Sequence, residues 1–434
     1  MNFKFENLIY NHSKSFRQNL YSTGLKNFPD EPRFRCSQVV ESICVFDQTN
    51  NKSLNIYDAG DNITPYIIST AVAYCPENWT SRNTNGMPSN IVSLFDLLNP
   101  RYVKDLQAGN ALLLIDQSVE GYHRLWLWEW FHTECISHNI SPAAIIYTTG
   151  DQSAADQYNI WYLDNELTCP KLKVIPSISL SIYIYQTYIQ SQMNIQFDKI
   201  IDYKLNNLES IKLFDCTNLR FRPQRIFNFL HLVNADLISD GKISMGDKNQ
   251  WPTIPNLQLT QFKLPTDILN KVGDITPMWI DGIDPNTSGQ YHQYITRILD
   301  KLYADTWVSL VVESSFFDYE QSVFISEKTF KPIACMQPFI IVGSKHTLRY
   351  LRKLGYKTFE GYIDESYDDC EDSDRFLAII NSLKKIQQVD DKISWLKDMQ
   401  HILEHNHKLF LEIGSKQSIE HFEISNYYSN YFKK

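Results

Sequence analysis

The sequence predicts an α/β protein: two Rossmann-like domains facing a cleft, with helices at the C-terminal end. Three observations predict it. Continuous apolar runs of strand length alternate with helix-length segments, the pattern of strands buried on both faces of a parallel sheet. The runs fall into two series, one before and one after residue 205, each reading strand, helix, strand. The length of 434 residues exceeds one ordinary core and suits two domains. The expected division is 1–205, 206–390, and 391–434 for a last helix and tail that pack back on the domains, with a linker at 204–209.

Residues 1–100 are the least patterned, with apolar runs at 42–46 and 66–73 among Asn/Asp/Ser/Pro loops and short helical pieces at 94–98 and 102–106 around Pro100. A strand at 111–115 ends in Asp116. A helix at 123–135 follows, and its Trp126, Trp128 and Trp130 read as packing residues rather than a sugar platform. Strands at 143–147 and 171–175 complete the first series, which puts Asp116, Glu120, Thr148 and Asp151 at carboxyl ends. The second series opens with a strand at 211–214 and a helix at 225–233. A strand at 306–312 ends in Glu313, and one at 339–342 ends in Gly343. A helix at 347–354 is stopped by Gly355. The acidic stretch 364–374 reads as a solvated loop, 375–388 and 391–413 as amphipathic helices, and the tail with Tyr427, Tyr428, Tyr431 and Phe432 as docked.

Composition excludes several classes. A net charge of −9 argues against a protein that coats nucleic acid or lies on an anionic membrane. The eight cysteines show no metal-binding spacing, and reduced buried thiols are the simpler reading. There is no glycine-rich phosphate loop, no nucleophile elbow, and no apolar run long enough to span a bilayer.

Two stretches carry chemistry. In the first, 322–343, Pro332 is tolerated only in the first turn of a helix, so the helix is predicted to begin near Thr329. Glu327 and Lys328 then lie at its mouth, with Lys331 close by. Free N–H groups and the helix dipole favour phosphate there, and lysine adds a point charge. A carboxylate beside an anion site needs hydrogen bonds, and a ribose diol supplies two. On residue types alone, this reading of Glu327 and that of a solvated helix start rank about equal. The second stretch holds Arg220, Arg222 and Arg225 within six residues at a strand-to-helix junction. Guanidinium forks there suit phosphate oxygens; pairing with surface carboxylates is the weaker alternative. Both stretches fall at the carboxyl edge of one predicted sheet, where such sheets bind ligands.

The run ISEKTFKPIACMQPFIIVG, with TLRYLRKLGYKTF and IDESYD after it, resembles the donor-binding half of two-domain (GT-B type) glycosyltransferases. It is most similar to a viral and bacterial glycosyltransferase-like group distantly similar to fucosyltransferases, whose Thr/Ser-Glu-Lys triplet is matched by Ser326-Glu327-Lys328. The similarity covers residues 210–410. It implies that Lys328 and either Arg220 or Arg225 hold the pyrophosphate of a nucleotide-sugar co-substrate, with no further cofactor; Glu313, at the end of its strand, is a further candidate for donor contacts. Some related retaining enzymes carry two glutamates eight positions apart; Glu320 and Glu327 are seven apart, which leaves inverting or retaining chemistry open.

Arginine, lysine and helix N–H groups can stabilise a leaving diphosphate without a metal. An inverting reaction also needs a base, for which Asp116, Glu120 and His123 are the candidates. The expected function is transfer of a sugar from a nucleotide-sugar to a glycan or small-molecule hydroxyl by a cytoplasmic enzyme, in host cytoplasm if viral. Two alternatives stand beside it: a viral enzyme glycosylating modified DNA bases, and an inactive nucleotide-sugar-binding module. Salt-sensitive binding to duplex DNA separates the first alternative; ligand binding without turnover separates the second.

Overall fold

The computed structural model describes residues 5–7, 66–71, 95, 100–118, 121, 125–218, 221–273, 275–280, 298–317, 322–415 and 419–433. The apolar run at 42–46 lies outside them. The chain forms two compact units, Met1–Ser179 with Gln417–Lys434, and Leu180–Lys416. Each is an α/β unit around its own parallel sheet.

The first sheet contains β1 (Phe5–Asn7), β2 (Tyr66–Ala71), β3 (Ala111–Gln117), β4 (Ile145–Thr149) and β5 (Lys173–Pro176), neighbours in chain order and all parallel. Helix α1 (Pro100–Gln107) precedes β3, α2 (Leu125–Ser137) joins β3 to β4, and α3 (Ala154–Asp164) joins β4 to β5. Apolar β3 and β4 residues are buried with Trp128, which lies edge-on to Tyr147. The tryptophan helix therefore serves the core, as its sequence suggests.

The second sheet contains β6 (Lys212–Cys216), β7 (Gly241–Ile243), β8 (Thr306–Val312) and β9 (Phe339–Val342), in the order β7-β6-β8-β9 and all parallel. Every residue of β8 is buried, which is why it reads as an unbroken apolar run.

The division between the units falls at Ser179, ahead of the expected linker. Both α4 (Ser179–Gln190) and α5 (Phe197–Asn206) pack with later elements. Tyr185 and Tyr188 of α4 meet Phe410 edge-on. Lys204 is fully buried and donates to the carbonyls of Tyr303, Ala304 and Thr306. A lysine that satisfies backbone carbonyls inside a core looks the same in sequence as one in a solvated linker.

Helices α6 (Pro223–Asn234), α7 (Glu327–Ala334), α8 (Thr347–Lys353), α9 (Asp372–Gln387), α10 (Lys392–Asp398) and α11 (Gln400–Ser415) also belong to the second unit. Gly355 at φ +91 ends α8 as expected. The region expected as one helix at 391–413 is two, α10 and α11, meeting at Met399. The acidic stretch is only partly solvated. Asp368 is buried and accepts the Leu348 and Arg349 N–H groups at the start of α8, and Glu365 accepts the Phe359 N–H and the Thr358 hydroxyl. Free N–H groups at a helix start and in a turn explain why carboxylates go inward here. Helix α12 (Ile419–Tyr431) returns to the first unit, where Tyr427, Tyr428, Tyr431 and Phe432 pack on the core. No helix among the described residues is long and apolar enough to cross a membrane.

Candidate functional site

In the second sheet, strand order reverses between β6 and β8: the chain runs outward from β6 to β7, then returns to the other side of β6 for β8 and β9. In open parallel sheets the connections leaving such a pair diverge and open a crevice at the carboxyl ends. Both chemistry-bearing stretches leave from this pair. The connection after β6 carries Arg222 and Arg225 into the start of α6, and the connection after β8 carries Glu313 and leads into α7.

Helix α7 starts at Glu327, not near Thr329, so Pro332 is an interior residue. The cap explains the earlier start. Ser326 is extended at the N-cap, and its Oγ accepts the Lys328 N–H at 3.4 Å. The cap is anchored by Glu313, which is 0% exposed. Glu313 Oε1 accepts the Ser326 N–H at 3.0 Å and the Thr329 hydroxyl at 2.7 Å, and Oε2 accepts the Ser326 hydroxyl at 2.5 Å. Three donors to one buried carboxylate over-determine the turn, which offsets the interior proline. Glu313 and Ser326, expected among the donor contacts, thus face each other under the helix mouth and shape it.

Lys328 and Glu327 lie nearer the surface. Lys328 Nζ donates to Ser326 Oγ at 2.8 Å and is 3.1 Å from Glu327 Oε1. Burial alone would raise the Glu327 carboxyl, but Lys328 and Lys331 beside it outweigh this and hold it down to about 2. It is therefore an acceptor-only carboxylate at neutral pH. Burial lowers the Lys331 ammonium to about 8 against the pull of Glu327. Arg225 is buried, and burial with the like charge of Arg222 brings its guanidinium down to about 10, against Glu327 and Glu313. Both Arg225 and Lys331 therefore remain charged at pH 7.

The connections are tied together. Arg222 donates to the Ser314 carbonyl at 3.1 Å, and Gln224 donates to the carbonyls of Glu313 and Ser314 at 3.1 and 2.7 Å. Sequence reasoning missed Gln224, Thr329 and Ser314; a polar residue just after a helix-starting proline was the available signal for Gln224. The structure therefore gathers Arg222, Arg225, Glu313, Ser326, Glu327, Lys328 and Lys331. By formal charge these seven residues carry an excess of two positive charges, at the end of a helix that favours anions.

Arg220, Glu120, His123 and Glu320 lie outside the described residues. Asp116 is in β3, its backbone in register with Ala71 and Thr148 at the carboxyl end of the first sheet. Asp151, at the same end, accepts the Ser153 N–H and hydroxyl in the turn that leads into α3.

No family model and no curated protein matches the chain. Among solved structures it is similar to an α,α-trehalose-phosphate synthase (UDP-forming) from Burkholderia vietnamiensis, with 10% identity and a TM-score of 0.39, over 74% of this chain and 69% of that one. At that identity no residue of this chain takes a role from the likeness.

Proposed function

We propose that the chain is a glycosyltransferase that binds the diphosphate of a nucleotide-sugar at the carboxyl ends of β6 and β8. The observation that carries this reading is the excess of cations at the strand-order reversal, built on a helix mouth that a buried carboxylate holds in shape. A dianionic or trianionic ligand matches that charge, and an ionised Glu327 beside it matches a ribose diol.

In the reaction, an acceptor hydroxyl attacks the anomeric carbon as the sugar–phosphate bond breaks, and charge grows on the departing diphosphate. Arg222, Arg225, Lys328, Lys331 and the first N–H groups of α7 stabilise that charge without waiting for solvent to reorganise. These groups supply the positive charge that a divalent ion would otherwise bring. Asp116, Glu120 and His123 remain the candidates for the base that takes the hydroxyl proton. A glycan or small-molecule hydroxyl is the favoured acceptor, and the net charge of −9 disfavours duplex DNA.

Calorimetry with UDP, GDP and CMP, beside their nucleosides, tests the reading. Lys328→Ala and Arg225→Ala should each weaken nucleotide diphosphate binding about tenfold or more, the weight of a hydrogen bond to a charged group, and leave nucleoside binding nearly unchanged. Equal losses for both ligands would remove the diphosphate from this site.

A further inference from the structure

The first unit contains a second group of reactive side chains that the proposed donor site does not use. Cys169, in the turn between α3 and β5, is partly exposed. Its Sγ lies 3.3 Å from Nδ1 of His132 on α2. His132 is 4% exposed, and its Nε2 lies 3.0 Å from the Tyr158 hydroxyl on α3. The Tyr158 oxygen also accepts the Leu172 N–H at 2.9 Å. The Tyr162 hydroxyl donates to the Cys169 carbonyl, so backbone and thiol are both held against the imidazole. Trp161 and Tyr162 pack around the imidazole, with ring centroids at 5.4 and 6.1 Å. This is not a metal centre: among the described residues, no three His, Cys, Asp or Glu side chains are placed to hold an ion.

We propose that Cys169 is a reactive thiol oxidised by hydroperoxides, with His132 as the base that takes its proton and Tyr158 as a positioning residue. The thiolate is the nucleophilic form of cysteine, so whatever removes the thiol proton sets the rate. Here the proton passes from Sγ to Nδ1. The resulting imidazolium has two N–H groups, and both have acceptors in place: the thiolate at Nδ1, and the remaining lone pair of the Tyr158 oxygen at Nε2. Burial disfavours charged His132, so the imidazole rests neutral and gains its proton only as the sulfur attacks. The sulfur bonds to the terminal oxygen of the hydroperoxide and the O–O bond breaks. The departing alkoxide, or hydroxide from hydrogen peroxide, takes the proton from Nδ1 and leaves as an alcohol or water. Sulfur loses two electrons, the peroxide gains them, and the product is a sulfenic acid.

Cys370 is an internal reference, because it is also partly exposed but its Sγ donates to the Ser366 carbonyl instead of meeting an imidazole. The test treats the full chain with hydrogen peroxide, traps sulfenic acid with dimedone, and follows each cysteine-containing peptide by mass spectrometry. Cys169 should react at least about tenfold faster than Cys370, and His132→Gln should lower the Cys169 rate about a hundredfold, the low end for general base catalysis, while the Cys370 rate stays constant. Tyr158→Phe keeps the ring and loses the acceptor for Nε2–H; a severalfold loss at Cys169 alone is expected. Should His132→Gln fail to fold by circular dichroism, the Tyr158→Phe comparison decides. Equal rates at Cys169 and Cys370, or a Cys169 rate indifferent to the variant that folds, would overturn the proposal.

Discussion

At the scale of single residues, the informative feature of the proposed donor site is how unlike its two carboxylates are. Glu313 is buried and accepts from three donors, so it shapes the helix mouth. Glu327 is kept ionised by Lys328 and Lys331, so its acceptors can serve a ligand. Glu327→Gln keeps the shape and weakens a charge-assisted contact worth about 1.5–3 kcal/mol. In the proposed donor pose the ribose lies away from the reacting carbon, so the loss should appear as a donor KM raised about tenfold or more, with kcat little changed. Steady-state kinetics check this; a collapse of kcat with KM intact would move Glu327 into the chemical step. Lys331 adds a pH dependence. Burial places its ammonium near 8, so the charge is present below that pH and lost above it. Affinity for a nucleotide diphosphate should fall as pH rises past about 8, and Lys331→Met should flatten that fall in a calorimetric titration series.

At the scale of elements, α7 shows how a short helix with an interior proline is held in place. Pro332 offers no N–H to the helix, and the first N–H groups have no partners within it. Ser326 at the N-cap and Glu313 beyond the end of β8 supply the missing order from outside the helix, and the Thr329 hydroxyl within it bonds to Glu313. Replacing Glu313 with glutamine turns one of its two acceptor oxygens into a donor that faces other donors. Glu313→Gln should therefore cost about 1–3 kcal/mol, the penalty for leaving buried polar groups unsatisfied. Denaturant unfolding measures it. The same variant should weaken nucleotide binding, because Lys328 rests on Ser326, which rests on Glu313. Unchanged stability would mean that the cap alone holds the turn.

At the scale of the whole molecule, the two sheets differ in a way that bears on where a ligand binds. The described strands of the first sheet follow one another in chain order, with no reversal among them. The second sheet reverses between β6 and β8, and the cations gather there. A nucleotide diphosphate should therefore slow hydrogen exchange at 222–225 and 313–329 and leave β3 and β4 at their ligand-free rates. Peptide-resolved exchange with and without UDP or GDP checks this; protection confined to the first unit would place the diphosphate elsewhere.

The sequence by itself determined the α/β class, both strand–helix series, and the pairing of a cationic loop with a Glu-Lys helix mouth. Strands such as β8 and β9, buried on both faces, leave an unbroken apolar run that local reading detects, and Gly355 marks a helix end by its backbone alone. What depended on partners distant in the chain was decided only by the tertiary structure. Lys204 reads as a linker residue until the carbonyls of Tyr303, Ala304 and Thr306 close around its ammonium. Asp368 reads as a solvated acid until the start of α8 meets it. Glu313 reads as a ligand contact until Ser326 and Thr329, 13 and 16 residues later, take up its oxygens. The contact of Cys169 with His132, 37 positions apart, is of the same kind: a hydrogen bond between remote residues leaves no periodicity in the sequence, because only the folded chain brings donor and acceptor within reach.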